Sequence, residues 1–212
     1  MQLDLDPGES VLSPNQRAKR DEIVAAAVAV LLDGGVHACT VRAIAARAGV
    51  SKSAVHYYFD DVDGIVDQAM LKATQGWIAW LRAGGSDLAP RIDSSSRRFW
   101  LTVNACLAPF AAGDRSLLPL WLEYWAVRAR QGRLGELRLL ADLLTGYVEE
   151  LLGLAGISDA SGRALGVTAY LLGISMWESL GEVDLVEVER HVGAIAGLVP
   201  PRTEEHQPGE SG

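Results

Sequence analysis

A chain of 212 residues with 49% hydrophobic content can bury one or two sizeable cores, and its formal charge of −8 excludes a protein that is basic over its whole surface. No apolar run approaches the roughly 18 to 20 residues of a membrane span, and the start MQLDLDPGES has neither a basic region nor an apolar signal core, so a cytoplasmic protein is expected. Cys39 and Cys106 lie far apart with no Cys-x-x-Cys spacing, which encodes neither a disulfide framework nor a zinc ribbon; both are expected as free thiols, with no metal and no cofactor.

Residues 1–12 are acidic without apolar periodicity, and residues 200–212 (PPRTEEHQPGESG) are rich in Pro, Glu and Gly, so both are expected as disordered tails. Between them apolar residues recur at helical spacing, without the strict alternation of hairpin strands, and the expected fold is all-α. The pattern predicts about nine helices, over 14–33, 41–48, 52–59, 62–82, 92–112, 117–131, 134–154, 159–180 and 185–198. Most are separated by glycine, as at Gly34-Gly35, Gly49, Gly84-Gly85, Gly132, Gly156 and Gly181. This organisation predicts a small helical domain over 13–61 and a larger helical domain over 62–199. Charge is unevenly distributed along the chain. Residues 13–59 hold six basic residues (Arg17, Lys19, Arg20, Arg42, Arg47, Lys52) against three acidic, a net of +3, which leaves 13 basic and 24 acidic residues, a net of −11, elsewhere.

The most informative stretch is residues 40–59, T-V-R-A-I-A-A-R-A-G-V-S-K-S-A-V-H-Y-Y-F. Thr40 is a good N-cap, and Val41, Ile44, Ala45 and Ala48 form one apolar face at i, i+3, i+4 and i+7, leaving Arg42 and Arg47 in water. Gly49 supplies the left-handed residue that stops the helix, Val50 turns inward, and Ser51 caps the next helix. There Val55 and Phe59 pack inward, so Lys52, Ser53, His56 and Tyr57 project outward as a candidate base-reading face, with Thr40, Arg42 and Ser51 placed for phosphates. A plain helical hairpin shares part of this pattern. Against it stand the short turn with a correctly placed glycine, the absence of acidic residues before Asp60, and the basic cluster that opens the preceding helix.

At these residues the chain resembles the TetR family of transcriptional regulators. The resemblance covers about the first 65 residues. It implies a three-helix DNA-binding domain, a linking fourth helix, a C-terminal ligand-binding and dimerisation domain, and repression relieved by a small molecule. Matched residue by residue, the family's DNA contacts fall on Thr40, Arg42, Ser51, Lys52, Ser53, His56 and Tyr57, and Tyr58-Phe59 close the signature. Two departures stand out. His56 occupies a position where the family commonly has tyrosine, and Asp61-Val62 replaces a common Ser-Lys. Asp60, Asp61 and Asp63 then cluster beside the expected phosphate path, where they would repel it and either rotate the approach or weaken nonspecific binding.

Beyond residue 84 the resemblance becomes diffuse. All six tryptophans lie outside the helix-turn-helix, and a subset of the aromatic residues is expected to line a mostly apolar cavity: Trp100, Asn104, Trp121, Tyr124, Trp125, Tyr147, Tyr170 and Trp177. Glu123 and Glu178 adjoin aromatics, a combination that would suit a cation, but adjacent helical residues point about 100° apart, so both are expected in solvent. The last two helices carry an interface pattern, with Ala164, Val167, Thr168, Leu171, Leu172, Ser175, Met176 and Ser179 on one and Leu185, Val188, Val192, Ile195 and Leu198 on the other. Two such helices from each subunit could pair as a four-helix bundle, which the family resemblance also implies.

No Gly-x-Ser-x-Gly, P-loop, dinucleotide glycine motif, His-Glu-x-x-His or paired Glu-x-x-His occurs, so no catalytic residues and no enzyme are expected. The expected function is a homodimeric DNA-binding regulator, a repressor released from a palindromic operator by a partly apolar small molecule. The alternative is a helical adaptor that binds protein and not DNA; salt-dependent duplex binding separates the two.

Overall fold

A computed structural model describes residues 12–83, 99, 100, 103, 117–178 and 184–199, and among them every regular element is helical. The helices are α1 (Pro14–Gly34), α2 (Val41–Ala48), α3 (Lys52–Tyr58), α4 (Val62–Arg82), α5 (Leu117–Arg130), α6 (Leu134–Leu154), α7 (Ala160–Glu178) and α8 (Leu185–Ala196), with one 3-10 turn over Val36–Ala38. Of the helix predicted over 92–112, Phe99, Trp100 and Val103 are helical and the rest lies outside the described residues, as do the tails other than Leu12. The described residues fall into two compact units, one lying within Met1–Ile78 and Arg115–Leu140, the other within Ala79–Asp114 and Ala141–Gly212.

In the first unit α1 begins with a capping box. The Ser13 hydroxyl accepts from Gln16 N, the Gln16 carboxamide accepts from Ser13 N, and Pro14 occupies the first turn, where no amide partner is needed. Ile23, Val24, Ala27 and Leu31 bury its inner face, against which α2 packs through Ile44 and Ala45. Thr40 caps α2 by accepting from Ala43 N at 3.2 Å, and Ser51 caps α3 by accepting from Ala54 N at 3.1 Å. Each such cap contributes about 1 kcal/mol. Gly49 adopts φ 65°, ψ 30°, the left-handed stop expected of it, and Val50 N donates to Ala45 O to close the turn. Cys39 is buried, and burial pushes its thiol up to about 11.

The second turn-forming glycine does more than stop a helix. Gly35, at φ 76° and ψ −175°, lies where only glycine is comfortable, and a Cβ there would stand 2.5 Å from Glu123 Oε2. The missing side chain admits the Glu123 carboxylate, which accepts from Val36 N at 3.1 Å and from His37 N at 3.4 Å. Glu123, part-buried, therefore caps the 3-10 turn from a helix 87 residues away in sequence.

Further tethers hold α5 to α4. The Trp121 indole donates to Thr74 Oγ1 at 2.8 Å and lies edge-to-face with Trp77. The Tyr124 hydroxyl donates to Asp67 at 2.7 Å. Arg128 is fully buried and donates through Nε to Asp67 at 2.6 Å, through one terminal nitrogen to the Asp63 carboxylate at 2.9 Å and through the other to Asp63 O at 3.0 Å. Burial would lower its pKa, but the two carboxylates outweigh that and raise it; Tyr124 is raised by burial first and by Asp67 second. Arg133 joins the same carboxylates and bonds Glu136 at 2.9 Å.

In the second unit α7 packs on α8. Gly166 lies close enough to Ile195 that a Cβ would meet its Cγ2 at 3.0 Å, and Arg163 donates to Ile195 O at 3.1 Å near the end of α8. Asp184 caps α8 by accepting from Val186 N and Glu187 N, and Gly197 ends it at φ 74°. No described helix is long and apolar enough to cross a membrane.

Candidate functional site

The register of α3 follows from two buried apolar side chains. Val55 and Phe59 are buried, which turns Lys52, Ser53, His56 and Tyr57 outward, and all four are exposed together with Thr40, Arg42 and Ser51. The seven residues thus occupy adjoining positions on α2, the turn and α3. Among the described residues neither Arg42 nor Lys52 has an ion-pair partner, so their charges face water. Thr40 and Ser51 spend one acceptor position each on a cap, and the Ser51 and Ser53 hydroxyls lie 3.0 Å apart.

The basic cluster is smaller than its composition suggested. Arg20 is buried with its guanidinium 4.8 Å from the centre of the Phe59 ring, so it joins the core beneath α3. Lys19 pairs with Glu22, and Arg47 pairs with Asp33 at 3.0 Å. The acidic cluster is accounted for in part. Asp61 Oδ1 accepts from Gly64 N at 2.6 Å, placing its charge at the start of α4, and Asp63 is committed to Arg128 and Arg133. Of the three carboxylates only Asp63 is neutralised within the fold, whereas Asp60 and Asp61 remain exposed and charged beside the expected phosphate path.

The aromatic candidates divide between the units. Trp121, Tyr124 and Trp125 belong to the first; Trp121 and Tyr124 are buried and hydrogen-bonded, whereas Trp125 is about half exposed. In the second unit Trp100 and Tyr147 are buried, Tyr170 bonds His191 Nδ1 at 3.2 Å, and Trp177 is exposed. Asn104 and Ser179 lie outside the described residues, as do the side chains of Ser175 and Glu178. A cleft of about 210 Å³ opens within the first unit between α4, α5 and α6, and of the eight candidates only Tyr124 lines it, beside Asp67, Leu71, Arg133 and Leu140. Arg128, Asp67 and Gln16 were missed as candidates. A signal existed for the first two: Asp63 and Asp67 share one stripe of α4 at i, i+4, as Tyr124 and Arg128 do on α5.

The interface pattern on α7 and α8 reads differently in the structure. Ala164, Thr168, Leu171, Val188 and Val192 are buried within the chain, because the small and apolar faces of these helices pack against each other and against their own unit. Leu172 and Ile195 are partly exposed. The outward side chains are instead Leu165, Ala169 and Trp177 on α7 and Val186 on α8, with Leu165 66% and Trp177 68% exposed.

Two helices, a glycine-closed turn and an exposed polar, basic and aromatic face form a helix-turn-helix. A sequence model described as bacterial regulatory proteins, tetR family, matches residues 23–69. The HTH-type transcriptional regulator BetI of Cronobacter sakazakii is 27% identical over 143 residues, covering 64% of this chain and 69% of that protein. BetI of Vibrio vulnificus is 26% identical over 164 residues, covering 74% and 79%. Among solved structures, the multidrug binding protein EbrR complexed with imidazole superposes with a TM-score of 0.64 at 22% identity, covering 94% of this chain and 100% of that one. The same protein complexed with proflavin superposes at 0.62 and 23%, covering 84% and 99%. The structural likeness is one of fold. Over residues 23–69 the chain thus matches the tetR-family sequence model, and the relatives it aligns with are HTH-type regulators of transcription; no enzymatic family is indicated.

Proposed function

We propose that the chain is a repressor that binds a two-fold symmetric operator as a homodimer and is released by a small-molecule effector. In this reading residues 13–61 are the DNA-reading head and 62–199 the sensing and pairing body. The observation that carries it is the outward face of α3, where Lys52, His56 and Tyr57 project from a helix whose opposite side, Val55 with the capping Phe59, is buried. Lys52, His56 and Tyr57 then read base edges while Thr40, Arg42 and Ser51 hold phosphates.

One recognition helix reads only a few base pairs, so useful specificity requires two copies. The exposed apolar residues Leu165 and Trp177 on α7 and Val186 on α8 support a bundle of two helices from each subunit. For the effector, the buried Trp100 Nε1 and Thr168 Oγ1 lack a hydrogen-bond partner among the described residues, which supports a partly apolar molecule carrying acceptor atoms. The complexes of EbrR with imidazole and proflavin support small-molecule binding by this fold. The test has two parts. A footprint on the chain's own promoter region should have two-fold symmetry and weaken steeply with salt. Titration of candidate compounds should shift tryptophan emission and operator affinity together, by roughly 5- to 150-fold for a coupling of about 1 to 3 kcal/mol. A compound that saturates the body without moving operator affinity is not the effector, and a footprint without symmetry refutes the dimer.

A further inference from the structure

The N-terminal capping box reaches the reading face. Gln16 Oε1 accepts from Ser13 N at 2.9 Å, and Gln16 Nε2 donates to the Tyr57 hydroxyl oxygen at 3.0 Å. A backbone N–H can only donate, so it fixes which end of the carboxamide faces Ser13, and the NH₂ group is left facing Tyr57. The phenol oxygen is thereby the acceptor in this pair, and its own proton must point elsewhere. Tyr57 is 68% exposed, and its ring is braced edge-to-face at 4.9 Å by Tyr58, so that proton faces the surface that meets DNA.

We propose that Gln16 is a positioning residue for DNA recognition: it holds Tyr57 as an obligate hydrogen-bond donor, so that Tyr57 engages an acceptor on DNA. The proposal rests on the reading of α3 as the DNA-contacting helix. An acceptor oxygen or nitrogen is offered by a phosphate and by base edges such as guanine O6 and N7 or thymine O4, whereas the exocyclic amines of adenine and cytosine offer donors and are disfavoured. Gln16 therefore influences recognition without touching DNA, through the direction of one hydrogen bond.

The test is a double-mutant cycle in the full-length protein, with operator and random duplexes at a salt concentration that screens added charge. Gln16→Glu keeps a Ser-x-x-Glu capping box, so α1 and the melting temperature should be retained. Its carboxylate, however, accepts the phenol proton and withdraws it from DNA. Gln16→Glu and Tyr57→Phe should each weaken operator binding by about 3- to 10-fold, the range of one net hydrogen bond. In the Tyr57→Phe background Gln16→Glu should add little. Gln16→Met, which has the reach without the amide or the charge, should show the same dependence on the Tyr57 hydroxyl and serves if Gln16→Glu lowers the melting temperature. Equal loss from Tyr57→Phe on operator and random duplexes assigns the acceptor to phosphate, and loss on the operator alone assigns it to a base. Gln16 variants that cost the same with and without the hydroxyl, or cost nothing with it present, overturn the proposal. Full binding by Tyr57→Ala would instead overturn the underlying reading of α3.

Discussion

Replacing Gly35 by alanine tests whether the 3-10 turn ahead of α2 is shaped by Glu123. The new Cβ would stand 2.5 Å from Glu123 Oε2 and 3.2 Å from its Cδ, at a residue with φ 76° and ψ −175°. Two costs follow. Holding a non-glycine residue in this backbone region costs about 1 to 3 kcal/mol. Moving the carboxylate aside gives up its bonds from Val36 N at 3.1 Å and His37 N at 3.4 Å. Hydrogen bonds to a charged group contribute about 1.5 to 3 kcal/mol, and the partly exposed site and the long second bond place this pair near about 1 to 2 kcal/mol in all. Gly35→Ala should thus destabilise by about 2 to 5 kcal/mol in urea titrations with an unchanged slope. Glu123→Ala alone should cost about 1 to 2 kcal/mol. With Glu123 already removed, the alanine Cβ meets no carboxylate and Gly35→Ala retains only its backbone cost. The double variant should therefore fall short of additivity by about 1 to 2 kcal/mol. Additivity within about 0.5 kcal/mol would refute the seating of Glu123 on this turn.

Removing the buried guanidinium in Arg128→Met leaves Asp67 partly buried without its main partner and should cost about 3 to 5 kcal/mol in thermal unfolding, much of it recovered when Asp67→Leu is added; a loss below about 1 kcal/mol would contradict the network. Because burial raises the Cys39 thiol from 9.0 to about 11, the folded state holds that proton more tightly than the unfolded one. Stability should accordingly be intact below pH 9 and fall as pH rises through about 11, and Cys39→Ala should flatten this decline in pH-dependent denaturation. Leu165→Glu or Trp177→Glu should shift sedimentation toward a monomer and lower operator affinity together, whereas a dimer that persists at micromolar concentration would remove these residues from the interface. Arg42→Ala should weaken operator and random DNA alike and reduce the slope of log affinity against log salt by about 1, and an unchanged slope would separate Arg42 from phosphate.

The head was legible because its rules are local. Thr40 and Ser51 cap the helices that follow them, Gly49 turns left-handed, and Val55 with Phe59 sets the rotation of α3, each within a few residues of its effect. Helix ends were legible for the same reason: the expected 41–48, 62–82 and 134–154 match α2, α4 and α6. What escaped were pairings between residues far apart in sequence. Periodicity placed Arg20 beside other cations, but its guanidinium covers Phe59, and composition alone does not distinguish a phosphate contact from a core contact. Glu123 was read by its helical neighbours, whereas its partners are amides on another element. Ala164, Thr168, Leu171, Val188 and Val192, read as interface candidates, are buried within their own chain, because a helix buried within its own subunit and one buried against a second copy carry the same apolar stripe. Only the outward remainder, such as Leu165 and Trp177, tells them apart.

The contacts of α5 bear on how sensing could reach the reading head. Within one unit Glu123 holds the turn before α2, Trp121 bonds Thr74, and Tyr124 and Arg128 hold Asp67 and Asp63 on α4. These residues lie within eight positions of one another, just over two helical turns, so α5 cannot slide or rotate by a full residue without exchanging several of these bonds at once. Such an element has discrete arrangements and does not deform continuously, which is the property a two-state switch needs. Trp121 and Tyr124, two of the aromatic residues expected from the sequence to line a ligand cavity, are themselves two of these tethers. A ligand that competes for the Trp121 N–H or the Tyr124 hydroxyl would exchange one or two hydrogen bonds, each with a net contribution of about 0.5 to 1.5 kcal/mol. That sum is comparable to the coupling of about 1 to 3 kcal/mol required for release, so no unfolding of the head is needed. On this reading Thr74→Val, which removes the acceptor for Trp121 while keeping the side chain's shape, should lower operator affinity without effector and shrink the further loss on adding it; a variant with both quantities unchanged would exclude this tether from the coupling.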